Sequence, residues 1–129
     1  MRFEEFRKKV EIKAKVRQER YVICKVKDCP KMSDKVFAVV KNGNETTIVI
    51  EQNYKLKTVE EEKNFKIISF ETKLPFDLIG FLAYMAKILT DQNVSIFVLS
   101  SYSTDHILIN ENDLNKALKT LKDNGVKIV

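Results

Sequence analysis

The sequence predicts an α+β fold: a ferredoxin-like βαββαβ unit in the C-terminal half, with a strand-rich N-terminal half packed with it as one unit. Three observations carry this prediction. Before residue 52, β-branched or alternating apolar runs recur at 10–16, 21–26, 36–40 and 46–51, the signature of short strands. After residue 65, strand-like runs alternate with two stretches of helical period. Three glycines and two prolines in 129 residues leave little room for linkers. Both helices of a βαββαβ unit lie on one face of its sheet.

In the N-terminal half, Val10, Ile12, Ala14 and Val16 alternate with charged residues and read as a strand. A helix through Phe3, Phe6, Val10 and Ala14 is the competing reading, fitting better before Val10 than after it. Tyr21–Val26 is β-branched and aromatic, and Asp28-Cys29-Pro30-Lys31 ends it. Val36–Val40 and Thr46–Glu51 flank Asn42-Gly43, residues that tolerate the positive φ of a tight hairpin turn. Residues 52–64, rich in Lys and Glu, read as a polar connection. They divide the chain into residues 1–64 and residues 65–129.

The second half opens on a strand over 65–71. Asp77 is placed to cap a helix over 78–91 whose apolar residues include Ile79, Leu82, Ala83, Ala86 and Leu89. Val94–Leu99 is nearly continuous in apolar residues, as in a strand covered on both faces. A polar turn over 100–104 leads to a strand over His106–Ile109. Asn112 or Asp113 starts a second helix bearing Leu114, Ala117, Leu118 and Leu121, and Gly125 stops it. Val126–Val129 forms a last short strand.

Composition narrows the function. The net charge of +5 lies mostly in residues 1–20, where eight Arg or Lys face four Glu; the remainder carries +1. That excess is interspersed with glutamates, unlike the concentrated charge of a phosphate-binding face, so no nucleic-acid partner is expected. Cys24 and Cys29 have no second pair and no nearby histidine, so they cannot build a four-ligand zinc site, and reduced thiols are expected. The charged opening residues do not resemble a secretion signal, and no run is long enough for a membrane span. A cytoplasmic protein without membrane association is expected. No phosphate-cradling glycine loop, metal-ligand cluster or nucleophile–base motif is present, so no catalytic residue, metal or cofactor is assigned.

One stretch is more specific. Leu74-Pro75-Phe76-Asp77-Leu78-Ile79-Gly80 enters the first helix, Val94–Ile109 follows it, and Asn112-Asp113-Leu114-Asn115-Lys116-Ala117-Leu118 opens the second. Together they resemble the ACT-domain family, in particular small tandem-ACT proteins related to Castor-type arginine sensors and the regulatory region of aspartate kinases. Tyr21–Cys24 and the Asn42–Asn44 hairpin resemble that family's first half more loosely. The resemblance implies a degenerate ACT-like copy in residues 1–64, its helix near 28–35 vestigial, followed by an ACT domain over 65–129. It implies a non-catalytic module that binds an amino acid or other small effector where two units pair, hence a homodimer, with a downstream protein partner. It also implies that Asp105 offers a carboxylate to the ligand. The family's Ser-Thr-Tyr-x-x-Asp turn reads Ser100-Ser101-Tyr102-Ser103-Thr104-Asp105 here, so one threonine methyl is missing from the pocket.

The implied ligand-binding residues are Leu78, Ile79, Gly80, Ser100, Ser101, Thr104 and Asp105. Each has a plainer alternative. Asp105 can pair with an ammonium or guanidinium group, or it can satisfy turn amides. Gly80, costly in a helix, suits either a ligand carboxylate at bare backbone amides or close packing, with Leu78 and Ile79 adding main-chain contacts. The hydroxyls of Ser100, Ser101 and Thr104 face a polar ligand or close the turn. Tyr102 covers a ligand or a subunit, or packs locally. His106, the only histidine, reads as structural or interfacial, and Cys24 as a core residue. An assembly module with a vestigial pocket is the competing function.

Overall fold

The βαββαβ order of the second half is realised in the computed structural model, which describes all 129 residues. The full chain is α+β, with three α-helices and eight strands. They are α1 (Phe3–Lys9), β1 (Lys13–Val16), β2 (Tyr21–Val26), β3 (Val36–Asn42), β4 (Glu45–Glu51), β5 (Glu60–Phe70), α2 (Phe81–Thr90), β6 (Phe97–Ser100), β7 (Asp105–Asn110), α3 (Leu114–Asp123) and β8 (Lys127–Ile128). The chain folds into two units, residues 18–66 and residues 1–17 with 67–129. The passage at 66/67 falls inside β5, close to the expected boundary at 64/65. Residues 1–17, however, cluster with the C-terminal residues.

The reason lies in burial. Phe3 and Phe6 of α1 are 1% and 8% exposed, in one core with Phe70, Phe81, Met85 and Leu121. β1 then pairs antiparallel with β5, Ala14 opposite Phe70, and parallel with β8, Ala14 opposite Ile128. The strand order of this unit is β8-β1-β5-β7-β6. An extra strand from the start of the chain therefore stands between β5 and β8. The competing helix forms before Val10, over Phe3–Lys9, and the strand expected from Val10 shortens to Lys13–Val16.

The strands covered on both faces are the C-terminal end of β5 and β7, not the run at Val94–Leu99. Ile67, Ile68, Ser69 and Phe70 are all buried, as are His106 through Ile109. β6 begins only at Phe97, pairs with β7 alone and is half-buried along Phe97–Leu99. An edge strand lacks a neighbour on one side, whatever its hydrophobicity.

Both long helices end in the same motif. In α3, Val126 N–H donates to Leu121 O and Gly125 N–H to Lys122 O, with Gly125 at φ +88°. In α2, Val94 N–H donates to Leu89 O and Asn93 N–H to Thr90 O, with Asn93 at φ +60°. These paired bonds satisfy the last helical carbonyls and bury the following valine. α3 is led in by a 3-10 turn over Glu111–Asp113, where Asn110 Oδ1 accepts from Asn112 N–H at 3.0 Å.

In the other unit, β3 and β4 form the expected hairpin and β4 pairs with β2. The two turn residues are Gly43 and Asn44, and only Gly43 has positive φ, the pattern of a type II′ turn. Val22, Cys24, Val26, Ile48 and Ile50 form its core. Glu60–Lys63, expected within a polar connection, belong to β5, and Glu60–Glu62 pair with β2 over Ile23–Lys25. Their ladder partner overrides their low strand propensity. No helix forms near 28–35. Cys24 is buried and Cys29 exposed, both as free thiols. No helix is long and apolar enough to cross a membrane.

Candidate functional site

The β5–α2 connection and the β6–β7 turn are far apart in sequence, yet they surround one pocket of about 340 Å³. Its lining is Leu74, Pro75, Phe76, Leu78, Gly80, Phe81, Leu82, Ala83, Ser100, Ser101, Tyr102, Thr104 and Asp105. That volume suits a small molecule. Six of the seven expected ligand residues are among these, and Ile79 is the exception. Its N–H donates to Met1 O at 3.0 Å, its carbonyl accepts from Phe3 N–H at 2.8 Å, and its side chain is half exposed.

One wall is the start of α2. Leu78 N–H closes a turn onto Pro75 O, and the bridge between Arg2 and Ile79 holds the next residue extended. The helix therefore begins at Phe81, three residues later than the sequence predicts. Asp77 is exposed on the preceding turn and does not cap it. Gly80 occupies the cap position in the left-handed region, φ +91°, and offers no side-chain hydrogen bond. The first amides of α2 thus lack a side-chain acceptor, and the helix dipole adds partial positive charge there. This wall is electrostatically complementary to an anionic group.

The facing residues come from the β6–β7 turn. Ser100 Oγ donates to Asp105 Oδ1 at 2.5 Å, which uses one of the two carboxylate oxygens. Ser101 N–H donates to Thr104 O at 2.9 Å, closing the turn. Thr104 Oγ1 donates to Phe70 O at 2.9 Å, tying the turn to β5. Ser103 O accepts from Leu74 N–H at 2.8 Å, tying it to the other wall. So the hydroxyl proton of Thr104 is committed to the fold, while Asp105 stands half-buried with charge to offer.

Ser101 also lies 2.9 Å from His106 Nε2, and His106 Nδ1 lies 2.9 Å from Ser69 Oγ. The sequence shows no serine motif beside this histidine; the β6–β7 register brings Ser101 to it. Burial, then Arg17, lower the pKa of His106, and Asp105 and Glu71 pull it up more weakly. The imidazole is therefore neutral near pH 7 and bridges two serines. An acyl-transfer base is normally oriented by a carboxylate that also stabilises its imidazolium; at Nδ1 this histidine meets a hydroxyl. The network runs from buried Ser69 through His106 to Ser101, which is exposed and lines the pocket.

Several lining residues escape the sequence reading: Leu74, Pro75, Phe76, Phe81, Leu82 and Ala83. Phe76 is the most informative. It is 84% exposed, and its ring lies 5.4 Å from that of Tyr102, which is 82% exposed. Two solvent-facing aromatics, their rings tilted 35° to one another, rim the pocket. An apolar residue outside any periodic run, as Phe76 is, was the available signal.

Residues 60–123 match the family model described as ACT domain. Among curated proteins none matches the sequence. The fold is similar to that of a protein from Agobacterium tumefaciens, with 23% identity, 93% of each chain covered and a TM-score of 0.81. A Vibrio cholerae protein of unknown function is also similar, with 23% identity, 88% of this chain and 89% of that one covered and a TM-score of 0.69. The regulatory subunit of aspartate kinase from Thermus thermophilus shares the fold at 10% identity, with 85% of this chain and 95% of that one covered and a TM-score of 0.57. The βαββαβ order and the family match agree: residues 60–123 of this chain are an ACT domain.

Proposed function

We propose that this chain is a non-catalytic regulatory module that binds an amino acid in the pocket between the α2 N-terminus and the Ser100–Asp105 turn. One observation carries the reading. Uncapped amides of α2 and the carboxylate of Asp105 line the same pocket, so it offers complements to both charged groups of an amino acid. The likeness to an aspartate kinase regulatory subunit supports it. The exposed Phe76–Tyr102 pair at the rim supports a second copy of the chain covering the mouth, since solvent-facing aromatics of this size mark contact surfaces.

A thermal-shift and calorimetric panel of the twenty amino acids tests this. A true effector at a hundred times its Kd adds about 2.7 kcal/mol, a rise of ~8 °C for a domain of this size. Asp105→Asn should weaken that ligand by about tenfold to a hundredfold. No response to any amino acid would sink the reading.

The same aromatic pair favours a second function, an assembly module that ignores small molecules. Light scattering on Tyr102→Ser separates the two. An oligomer lost in the variant, together with a silent panel, selects assembly.

A further inference from the structure

We propose that residues Met1–Phe3 are a positioning element of the pocket, holding the Leu78–Gly80 loop that aims the α2 N-terminus into it. The inference rests on reading that pocket as the effector site. Both main-chain groups of Ile79 are engaged by this segment, at 3.0 Å to Met1 O and 2.8 Å from Phe3 N–H. Arg2 and Ile79 form an isolated parallel bridge, so the loop is held as a short stretch of sheet rather than as helix. Without that bridge, extension of α2 backward through Leu78 is opposed only by the cost of a helical Gly80, about 1 kcal/mol, and by the Leu78–Pro75 turn bond. The position of the first free amides would then move by about one turn.

Side chains reinforce the same junction. Phe3 meets Phe81 edge to face at 5.2 Å, and Phe81 meets Phe70 in the same way at 4.8 Å. Phe81 lines the pocket, and the Phe70 carbonyl accepts the Thr104 hydroxyl of the facing turn. Phe3 therefore begins a chain of contacts that reaches both walls. Because coupling between two equilibria is reciprocal, a ligand that fixes the α2 amides also fixes α1 against the core. The opening segment of the chain then reports occupancy of a pocket whose lining residues begin at Leu74.

The test compares Phe3→Leu with Val126→Ala in the full chain. Both lose part of a buried apolar side chain from the same core, and Val126 is absent from the pocket lining. Amide hydrogen exchange by NMR without ligand reads the loop directly. Phe3→Leu should speed exchange at Ile79 about tenfold more than Val126→Ala does, each corrected for global stability. Calorimetry with the twenty amino acids reads the coupling. Phe3→Leu should weaken the responding amino acid about tenfold, and Val126→Ala by less than about threefold. Equal effects of the two variants in either assay overturn the proposal. If no amino acid binds the unmodified chain, the effector reading fails; unchanged exchange at Ile79 in Phe3→Leu separately overturns the positioning role.

Discussion

Gly80 and Gly125 have nearly the same backbone, φ +91° and +88°, yet alanine should be tolerated very differently at the two. A left-handed conformation costs an alanine about 1–2 kcal/mol, of which about 0.4–1 is offset by its narrower unfolded ensemble. A Cβ on Gly80 meets nothing within 4 Å, so Gly80→Ala should cost only this residue, about 1 kcal/mol. A Cβ on Gly125 would lie 3.0 Å from Arg7 Nη2. That guanidinium is not free to yield. Nη2 donates to Asn124 O at 2.6 Å, and the group lies over the Phe3 and Tyr84 rings at 5.2 and 4.8 Å. A charge-assisted hydrogen bond contributes about 1.5–3 kcal/mol and each cation–π contact about 0.5–1, so partial displacement adds about 2 kcal/mol. Gly125→Ala should therefore cost about 3 kcal/mol in all, lowering Tm by about 9 °C against about 3 °C for Gly80→Ala. Urea unfolding followed by circular dichroism measures both. In an Arg7→Ala background the two glycine substitutions should converge near 1 kcal/mol, because the obstructing group is gone. Equal costs in the unmodified chain, or an unchanged cost at Gly125 without Arg7, would refute the argument.

Two further outcomes follow from the site. The lowered pKa of His106 means that the unfolded chain takes up a proton, near its ordinary 6.5, that the native fold resists. Stability should be complete above that pH and fall as pH drops from 6.5 toward the folded value, and His106→Gln should remove this component of the slope in urea titrations between pH 7.5 and 5; an unaltered slope would assign the pH dependence to other groups. Thr104→Val deletes the hydroxyl that donates to Phe70 O at 2.9 Å and leaves a buried acceptor short of a partner, so unfolding should be easier by about 1–2 kcal/mol; a neutral result would show that the β6–β7 turn is held by its backbone bonds alone.

Most of the candidate site is legible in the sequence. Leu78, Gly80 and the Ser100–Asp105 turn were named from the residues and the ACT resemblance, and they converge on one pocket. What escaped was of two kinds. Phe76 sits in a turn with no periodic pattern, so its exposure beside Tyr102 depends on how two distant loops meet. Ser101 reaches His106 because their strands pair at Leu99 opposite His106 and Ser100 opposite Asp105, a register no local pattern specifies.

Local elements are written in the residues themselves: the hairpin at Gly43, the two helices, the glycine stop at Gly125 and the β-rich first half. These depend on interactions within a few residues, where φ preference and apolar period act directly. Tertiary structure alone decided which segments share a core. It brought α1 and β1 into the C-terminal unit, extended β5 back through Glu60–Lys63, and started α2 at Phe81 rather than at Leu78. In each case the deciding group is remote: a ladder partner on β2, an aromatic core that accepts Phe3, or the Met1–Phe3 backbone that claims both hydrogen-bonding groups of Ile79. Hydrogen bonds and burial made across tens of residues outweigh propensities of a few tenths of a kcal/mol, at about the scale by which helix and strand formers differ.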